Sequence, residues 1–282
     1  MSPLDRDPAE ADTLRSLRQL AEQAARAGGA IARQSFGKPA AVRLKADRSE
    51  VSEVDEAAQR AVIDCIHAQR PDDGFVAEET LVGPEGQRWP PPENDRVCWV
   101  IDPLDGTRNY IRGIPLYACS VGAMLHGFPI AGAIYLPPDE RLFSASRAEG
   151  FFEDGRPIAR ASRAPAPGRS PKPIVAIPSS FSGDTEKAIL NAWLGRVVVR
   201  NLGVASLHLA LVAAGPFDAA LLSDARLWDV AAGGVLIEVV GGIMTTLAGQ
   251  AMFPLDVAAY RGEALPGVAA RDAEMLAHLK VD

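Results

Sequence analysis

Trp99-Val100-Ile101-Asp102-Pro103-Leu104-Asp105-Gly106-Thr107 is an apolar run that ends in two carboxylates, a glycine and a hydroxyl. Val97, Trp99, Val100 and Ile101 favour β structure, and a nearly unbroken apolar run is the pattern of a buried strand. Pro103 has no N–H to give a sheet and predicts the end of the ladder. Gly106 permits a tight backbone, and Thr107 can cap the next element. Asp102 and Asp105 are therefore expected where a strand hands over to a helix, whose free N–H groups and positive dipole end favour anions. Two acids beside an anion cradle call for something positive between them, and a divalent metal is the simplest candidate.

Working outward toward the N-terminus, Asp7-Pro8-Ala9-Glu10 has the grammar of a helix start. Leu14, Leu17, Ala21, Ala24, Gly28 and Ile31 continue it at helical spacing to about Phe36, with Gly37 and Pro39 as the stop. Val42 and Leu44 close a strand that runs into a polar loop, Lys45 to Glu50. Ser52 opens a second helix whose inner face is expected to carry Val54, Ala58, Ala61, Cys65 and Ile66. After a Pro71–Gly74 turn, Phe75-Val76-Ala77 is a short strand that ends in Glu78-Glu79. Residues 83–95, rich in proline, predict a surface loop.

Toward the C-terminus the pattern becomes a strand meander, with Leu116–Leu125, Pro129–Leu136 and Arg141–Ala145 separated by turns. Residues 160–173 carry four prolines and mark the best candidate boundary. It splits the chain into an α+β part (1–160) holding the acidic motif and an α/β part (161–282) completing the site. In the second part strand and helix alternate: Ile174–Ile177, Thr185–Leu194, Val197–Val199, Ala205–Ala214, Phe217–Leu222, Trp228–Val240, Gly241–Leu247, Val268–Ala270 and Ala273–Lys280.

With 282 residues, 48% of them apolar, the chain can bury a sizeable core. A net charge of −7 with no Lys/Arg-rich run argues against nucleic acid as a main ligand. Three cysteines, a polar N-terminus and the lack of any 18–20-residue apolar run predict free thiols, no membrane span and a cytoplasmic location.

Each candidate residue also has an ordinary explanation. Asp102 and Asp105 could belong to a polar turn. Glu78, Glu79 and Asp229 stand at element ends and could be solvated or could face a helix dipole. Asp55, three residues after Ser52, fits a capping box as well as a catalytic role. Lys45 and Asp47 could be a surface pair. His67, His126, His208 and His278 lie outside these motifs and are expected to be structural. Were four carboxylates to converge, each like-charged pair at ~4 Å would cost roughly 4 kcal/mol at an effective dielectric of ~20, so cations would have to sit among them. All-oxygen ligands select Mg²⁺ or Mn²⁺ over Zn²⁺.

Trp99–Tyr110 resembles the signature W-x-x-D-P-[IL]-D-G-T-x-N-[FY] of the inositol monophosphatase family. Trp228-Asp229-Val230-Ala231-Ala232-Gly233, with Glu238 and Gly241-Gly242, resembles that family's second signature. Glu78-Glu79 matches its Gly-Glu-Glu element with Ala77 in place of glycine. Lys45, Asp47, Val51-Ser52 and Asp55 match its lysine-to-aspartate element, with Ser52 for threonine. Arg200, Gly203 and Ala205 fall on a further segment. The resemblance implies an α/β (α+β) layered α-β-α-β-α sandwich, usually a homodimer, acting on a small phosphorylated metabolite and inhibited by Li⁺. It implies two or three Mg²⁺ ions: a first on Glu78, Asp102 and the Leu104 carbonyl, a second on Asp102, Asp105 and Asp229, and a weaker third near Glu78. Gly106, Thr107, Ala205 and Asp229 would contact substrate, and Thr107 with Asp55 would deprotonate water for in-line attack without a phosphoenzyme. Arg108-Asn109-Tyr110 and Gly113-Ile114-Pro115 look like the inositol phosphatase version, whereas Lys45-Ala46-Asp47-Arg48-Ser49 looks more like the bisphosphate nucleotidase or histidinol-phosphatase form. Leu222 stands where an inositol-binding acid is often found, with Ser223 and Asp224 beside it. A non-catalytic binding protein on the same fold is the alternative of another class.

Overall fold

The computed structural model describes residues 8–38, 42–44, 50–79, 89–158, 172–181 and 183–280. Asp7, Lys45, Asp47 and most of the expected boundary segment lie outside them. The first part runs α1 (Pro8–Ser35), β1 (Val42–Leu44), β2 (Glu50–Ser52), α2 (Glu53–His67), β3 (Gly74–Ala77), β4 (Cys98–Asp105) and α3 (Thr107–Ile111). The meander continues as β5 (Ala118–Leu125), β6 (Phe128–Leu136), β7 (Arg141–Ser146), β8 (Gly150–Glu153) and β9 (Arg156–Pro157). The second part comprises β10 (Ile174–Ala176), α4 (Asp184–Trp193), β11 (Val198–Arg200), α5 (Ala205–Ala214), β12 (Ala219–Leu222), α6 (Leu227–Val239), β13 (Ile243–Thr246), β14 (Gly267–Ala270) and α7 (Ala273–His278).

Strand alternation explains the layering. In β4, Trp99 and Ile101 face α1 and α2, where they meet Leu17, Ala21, Ala24, Ile63 and Ile66. Cys98 and Val100 face the other way, onto α5 and α6. Those two helices are apolar on all sides because both of their faces are covered. Leu207, Leu209, Val230 and Val235 fill the space between Ile134 and Phe143 of the first sheet and Ala220, Leu222 and Ala269 of the second. Val175, Ala219 and Leu221 point to the far side, against Trp193 and Met275 of α4 and α7. The result is the expected five-layer α-β-α-β-α sandwich. The first sheet orders its strands β3-β4-β5-β6-β7-β8-β9, and the second β11-β10-β12-β14-β13. One core runs between the two parts of the chain.

Two glycines set the spacing between the first sheet and α6. A Cβ on Gly122 would stand 2.9 Å from Ala232 N, and one on Gly132 would stand 3.0 Å from Ala232 Cα. Backbone meets backbone there, which only glycine allows.

The structure corrects several expectations. Pro103 does not end the strand, because β4 continues to Asp105 through a register shift against β5, in which Asp102 pairs with Ser120 and Asp105 with Ala118. Proline's missing N–H falls within this bulge and breaks no regular ladder bond. On α2 the buried row is Val54, Ala58, Val62, Ile63 and Ile66, while Ala61 and Cys65 are half-buried. β5 begins at Ala118 instead of Leu116. The second sheet is mixed: β12 pairs with β14, and β14 with β13, in antiparallel fashion. No helix among the described residues is long and apolar enough to cross a membrane.

Candidate metal centre and active-site cleft

Side chains three residues apart on a regular strand point to opposite faces. The extra residue in β4 cancels that inversion, so Asp102 and Asp105 both face α5 and α6. Leu104, between them, faces the other side and packs with Val54, Tyr110 and Tyr117. Gly106 then turns the chain into α3 at φ +95°, where a Cβ would meet Leu116 O at 3.0 Å.

Asp229 comes from the first turn of α6, and ligand oxygens of Asp102, Asp105 and Asp229 lie within 4.8 Å of one another. The glycine-lined approach of α6 to the first sheet makes this meeting possible. Glu78 stands outside that tight group but borders the same cleft. Its N–H donates to Ile101 O at 3.1 Å, which carries the Ala77–Ile101 pairing on and sets Glu78 abreast of Asp102. Gln59 of α2 clamps the next residue, accepting from Glu79 N at 2.9 Å and donating to Glu79 O at 2.7 Å.

Three of the acids sit at helix N-termini, where the dipole and free N–H groups favour a negative charge. Asp55, in the first turn of α2, accepts from Ser52 N at 2.8 Å and Ser52 Oγ at 2.5 Å, completing the capping box. Its other oxygen, Oδ1, lies 3.0 Å from Thr107 Oγ1. That hydroxyl is also 3.0 Å from Leu104 O, so its single proton serves a carboxylate and a carbonyl. Capping and contact with Thr107 thus coexist at Asp55. Asp105 caps α5 from outside, accepting from Ala205 N at 3.2 Å, Ser206 N at 2.6 Å and Ser206 Oγ at 2.6 Å. Asp229 accepts from Arg226 N at the start of α6, and Asp102 accepts from Leu104 N at 3.0 Å.

Burial dominates the titration of this group. It drives Asp102 well above the usual carboxylate range, with Glu78, Asp105 and Asp229 adding to the rise. Asp229 is raised well up by burial and then by Asp105. Asp105 is pushed up to about 6 by burial, against the opposing bonds from Ser206 and Ala205. Asp55 is raised by burial despite its bonds to Ser52 and Thr107. Converged carboxylates of this kind hold their charge only with cations among them. The donor set is all oxygen, so it fits a hard divalent cation.

The cleft has a volume of about 260 Å³. Gly106, Thr107, Ala205 and Asp229 border it, as do Glu78 and Asp105, whereas Asp55, Asp102 and Leu104 do not. The Ala205 N–H is engaged by Asp105. His208 also borders the cleft, but burial lowers its pKa to about 4, and its Nε2 accepts from Leu202 N at 3.0 Å. It is a neutral prop for the loop ahead of α5. Asn109 props the same loop from α3, donating to Leu202 O at 2.8 Å and Leu116 O at 2.9 Å. Ser206, Gln59, Gly122 and Gly132 join the site's framework without a place in the sequence motifs. Mid-strand glycine is a signal of close backbone approach, but nothing local marks Ser206 or Gln59.

A model of the inositol monophosphatase family matches residues 13–280. A fructose-1,6-bisphosphatase/inositol-1-monophosphatase of Aquifex aeolicus is 30% identical over 88% of this chain and 92% of its own length. A protein of Xylella fastidiosa named Nus factor SuhB is 32% identical over 80% of each chain. Among solved structures, the extragenic suppressor protein suhB of Bartonella henselae superposes with a TM-score of 0.77 at 28% identity, covering 94% of this chain and 96% of its own.

Proposed function

The chain belongs to the inositol monophosphatase family, and from that premise we propose that it hydrolyses small phosphate monoesters with the help of Mg²⁺ in the acidic cleft. The observation that carries this reading is the convergence of Asp102 and Asp105 on β4 with Asp229, more than a hundred residues further on, with ligand oxygens within 4.8 Å of one another. One cation would be held by Glu78, Asp102 and the Leu104 carbonyl, and another by Asp102, Asp105 and Asp229, with Mn²⁺ an acceptable substitute and a weaker third site near Glu78. When bound, these ions supply the Lewis acidity that lowers the pKa of water and stabilises the departing alkoxide.

The chain itself supplies the proton path and the orientation. Asp55, raised by burial, is poised as a general base acting through the Thr107 hydroxyl. Gly106 and Thr107 border the cleft, and their amides would receive the phosphate. No cysteine among the described residues borders the cleft, and the His208 Nε2 is occupied by Leu202 N; the reading is in-line attack by water without a phosphoenzyme. We take the enzyme to be a broad phosphomonoesterase whose range includes inositol 1-phosphate, working as a homodimer and sensitive to Li⁺.

The test is phosphate release from inositol 1-phosphate, adenosine 3′,5′-bisphosphate and histidinol phosphate, with and without Mg²⁺ and Li⁺. Mg²⁺-dependent release from inositol 1-phosphate supports the reading. A preference of ~100-fold or more for either of the other two overturns it in favour of a bisphosphate nucleotidase or histidinol-phosphate phosphatase. No release from any ester at millimolar Mg²⁺ favours a non-catalytic, regulatory role; the Xylella relative carries the name Nus factor SuhB.

A further inference from the structure

A second cavity, of about 320 Å³, lies under the outer helices of the second sheet and shares no bordering residue with the acidic cleft. Its floor is buried and apolar: Trp193 of α4, Val268 of β14 and Leu279, just past α7, all belong to the core on the α4 and α7 side. Ile189 and Leu276 are half-buried along its flanks, and Lys280 is exposed at its rim. The two helices that roof it are fixed to each other. Trp193 Nε1 donates to Leu279 O at 2.7 Å, and Arg196 Nη2 donates to His278 O at 2.5 Å. The cavity is thus preformed, and with its N–H spent the indole offers it only apolar surface.

Two polar groups at this cavity are not spent. Thr245 pairs directly with Val268, and residues paired across a ladder point to the same face, so its side chain is turned toward α4 and α7. Thr245 borders the cavity, only 7% of it is exposed, and its hydroxyl makes no hydrogen bond among the described residues. Whatever enters the cavity is what satisfies that hydroxyl. Lys280 is the one charged side chain bordering the cavity among the described residues, and it is in no ion pair among them. Its four-carbon stem lets the ammonium follow a ligand at the rim. These walls complement an apolar body that carries one negative charge and a hydrogen-bond acceptor. An apolar cavity of roughly 150 Å³ takes a benzene ring, so this volume accommodates a ring with a short tail.

We propose that this cavity is a binding site for a small carboxylate with an apolar body, an aryl- or alkyl-alkanoate, whose carboxylate accepts from the Thr245 hydroxyl and faces the Lys280 ammonium. The inference does not depend on the phosphatase reading.

The probe is 3-phenylpropanoate, with 3-phenylpropanamide as a neutral ligand of the same shape. Calorimetric titration of the full chain should give one site with a Kd of about 0.1–1 mM for the acid and about tenfold weaker for the amide, as a charge-assisted contact would give. Mg²⁺ and inorganic phosphate should leave that affinity unchanged. Lys280→Gln, at an exposed position, should bring acid and amide within about twofold of each other. Thr245→Val keeps the volume and should weaken the acid several-fold, while the melting temperature of the unliganded protein holds or rises, because the fold makes no use of the hydroxyl. No measurable binding of the acid overturns the inference, as does a preference for the acid that is absent in the parent protein or survives Lys280→Gln. Binding that Mg²⁺ and phosphate displace belongs to the acidic cleft and overturns it too. A melting temperature lowered by Thr245→Val would assign the hydroxyl to the fold instead of to a ligand, with the same result. None of these outcomes bears on phosphate release from an ester, which is measured separately.

Discussion

The two walls of the cleft are built on opposite plans. On the metal side four aspartates are tied to backbone or hydroxyl donors: Asp55 to Ser52 and Thr107, Asp105 to Ala205 and Ser206, Asp102 to Leu104, and Asp229 to Arg226. All four are buried or half-buried. On the side built by the loops after β10 and β12, the one acid bordering the cleft is Asp224, which is exposed and tied to a single serine, Ser180. The difference teaches a division of labour. The first wall is over-determined because like charges must be held a few ångströms apart before any cation arrives, and preorganisation of that kind is what the chemistry requires. The second wall carries no such set of mutual ties.

The comparison breaks most sharply at Asp105. Asp105→Asn should lower Mg²⁺-dependent phosphate release by about 10³-fold or more, the scale of removing a principal electrostatic contact, with the fold retained. Near-normal release would mean that the metal side does not carry the chemistry. Next in size is Thr107→Val, which keeps the volume and removes the hydroxyl between Asp55 and Leu104. A loss of roughly 10²-fold in kcat, with little change in KM, is expected for a proton relay. An effect confined to KM would make Thr107 a substrate contact only.

The cost of burying charge on the metal side should also be visible without turnover. Asp105 has an ordinary pKa of 3.8 unfolded and about 6 folded. Between those values the folded state binds more protons than the unfolded one, so stability falls as pH rises through the window. The contribution is full below about pH 4 and gone above about pH 6, a change on the order of 3 kcal/mol. Asp102, Asp229 and Asp55 shift in the same direction. Protein stripped of metal should therefore melt at a lower temperature at pH 7.5 than at pH 5, and Mg²⁺ should raise the melting temperature more at pH 7.5. A flat or rising profile for the stripped protein would show that burial and crowding do not disfavour the charged acids in the folded state.

Legibility in the sequence divides along the same line. Periodicity places α1, α5 and the start of β4 within a residue or two, because long amphipathic or wholly apolar segments announce themselves. The acids are found because they stand at element ends in a recognisable order. The bulge is not legible, since register depends on a partner strand, and Pro103 reads as a stop for that reason. The donors to Asp105 come from a helix a hundred residues further on, so no local pattern connects them. Gly122 and Gly132 are visible as glycines inside strands, but their purpose depends on α6 lying against them. Gly122→Ala tests that purpose. Its Cβ would press on Ala232 N at 2.9 Å, so α6 must shift and carry Asp229 with it. A loss of about 1–3 kcal/mol in stability, with weaker Mg²⁺ dependence, is expected. A loss of stability with unchanged Mg²⁺ dependence would separate sheet packing from metal geometry.

The smallest effect is the most informative about over-determination. Ser206→Ala removes one of three donors to Asp105 and leaves the backbone N–H groups of Ala205 and Ser206 in place. One hydrogen bond to a charged group contributes about 1.5–3 kcal/mol when it stands alone. With two donors remaining and a cation able to take the freed lone pair, the loss should be a few-fold in the Mg²⁺ concentration for half-maximal activity, with kcat nearly kept. A collapse as large as that of Asp105→Asn would mean that the three donors act as a unit, and that the first wall is no better buttressed than the second.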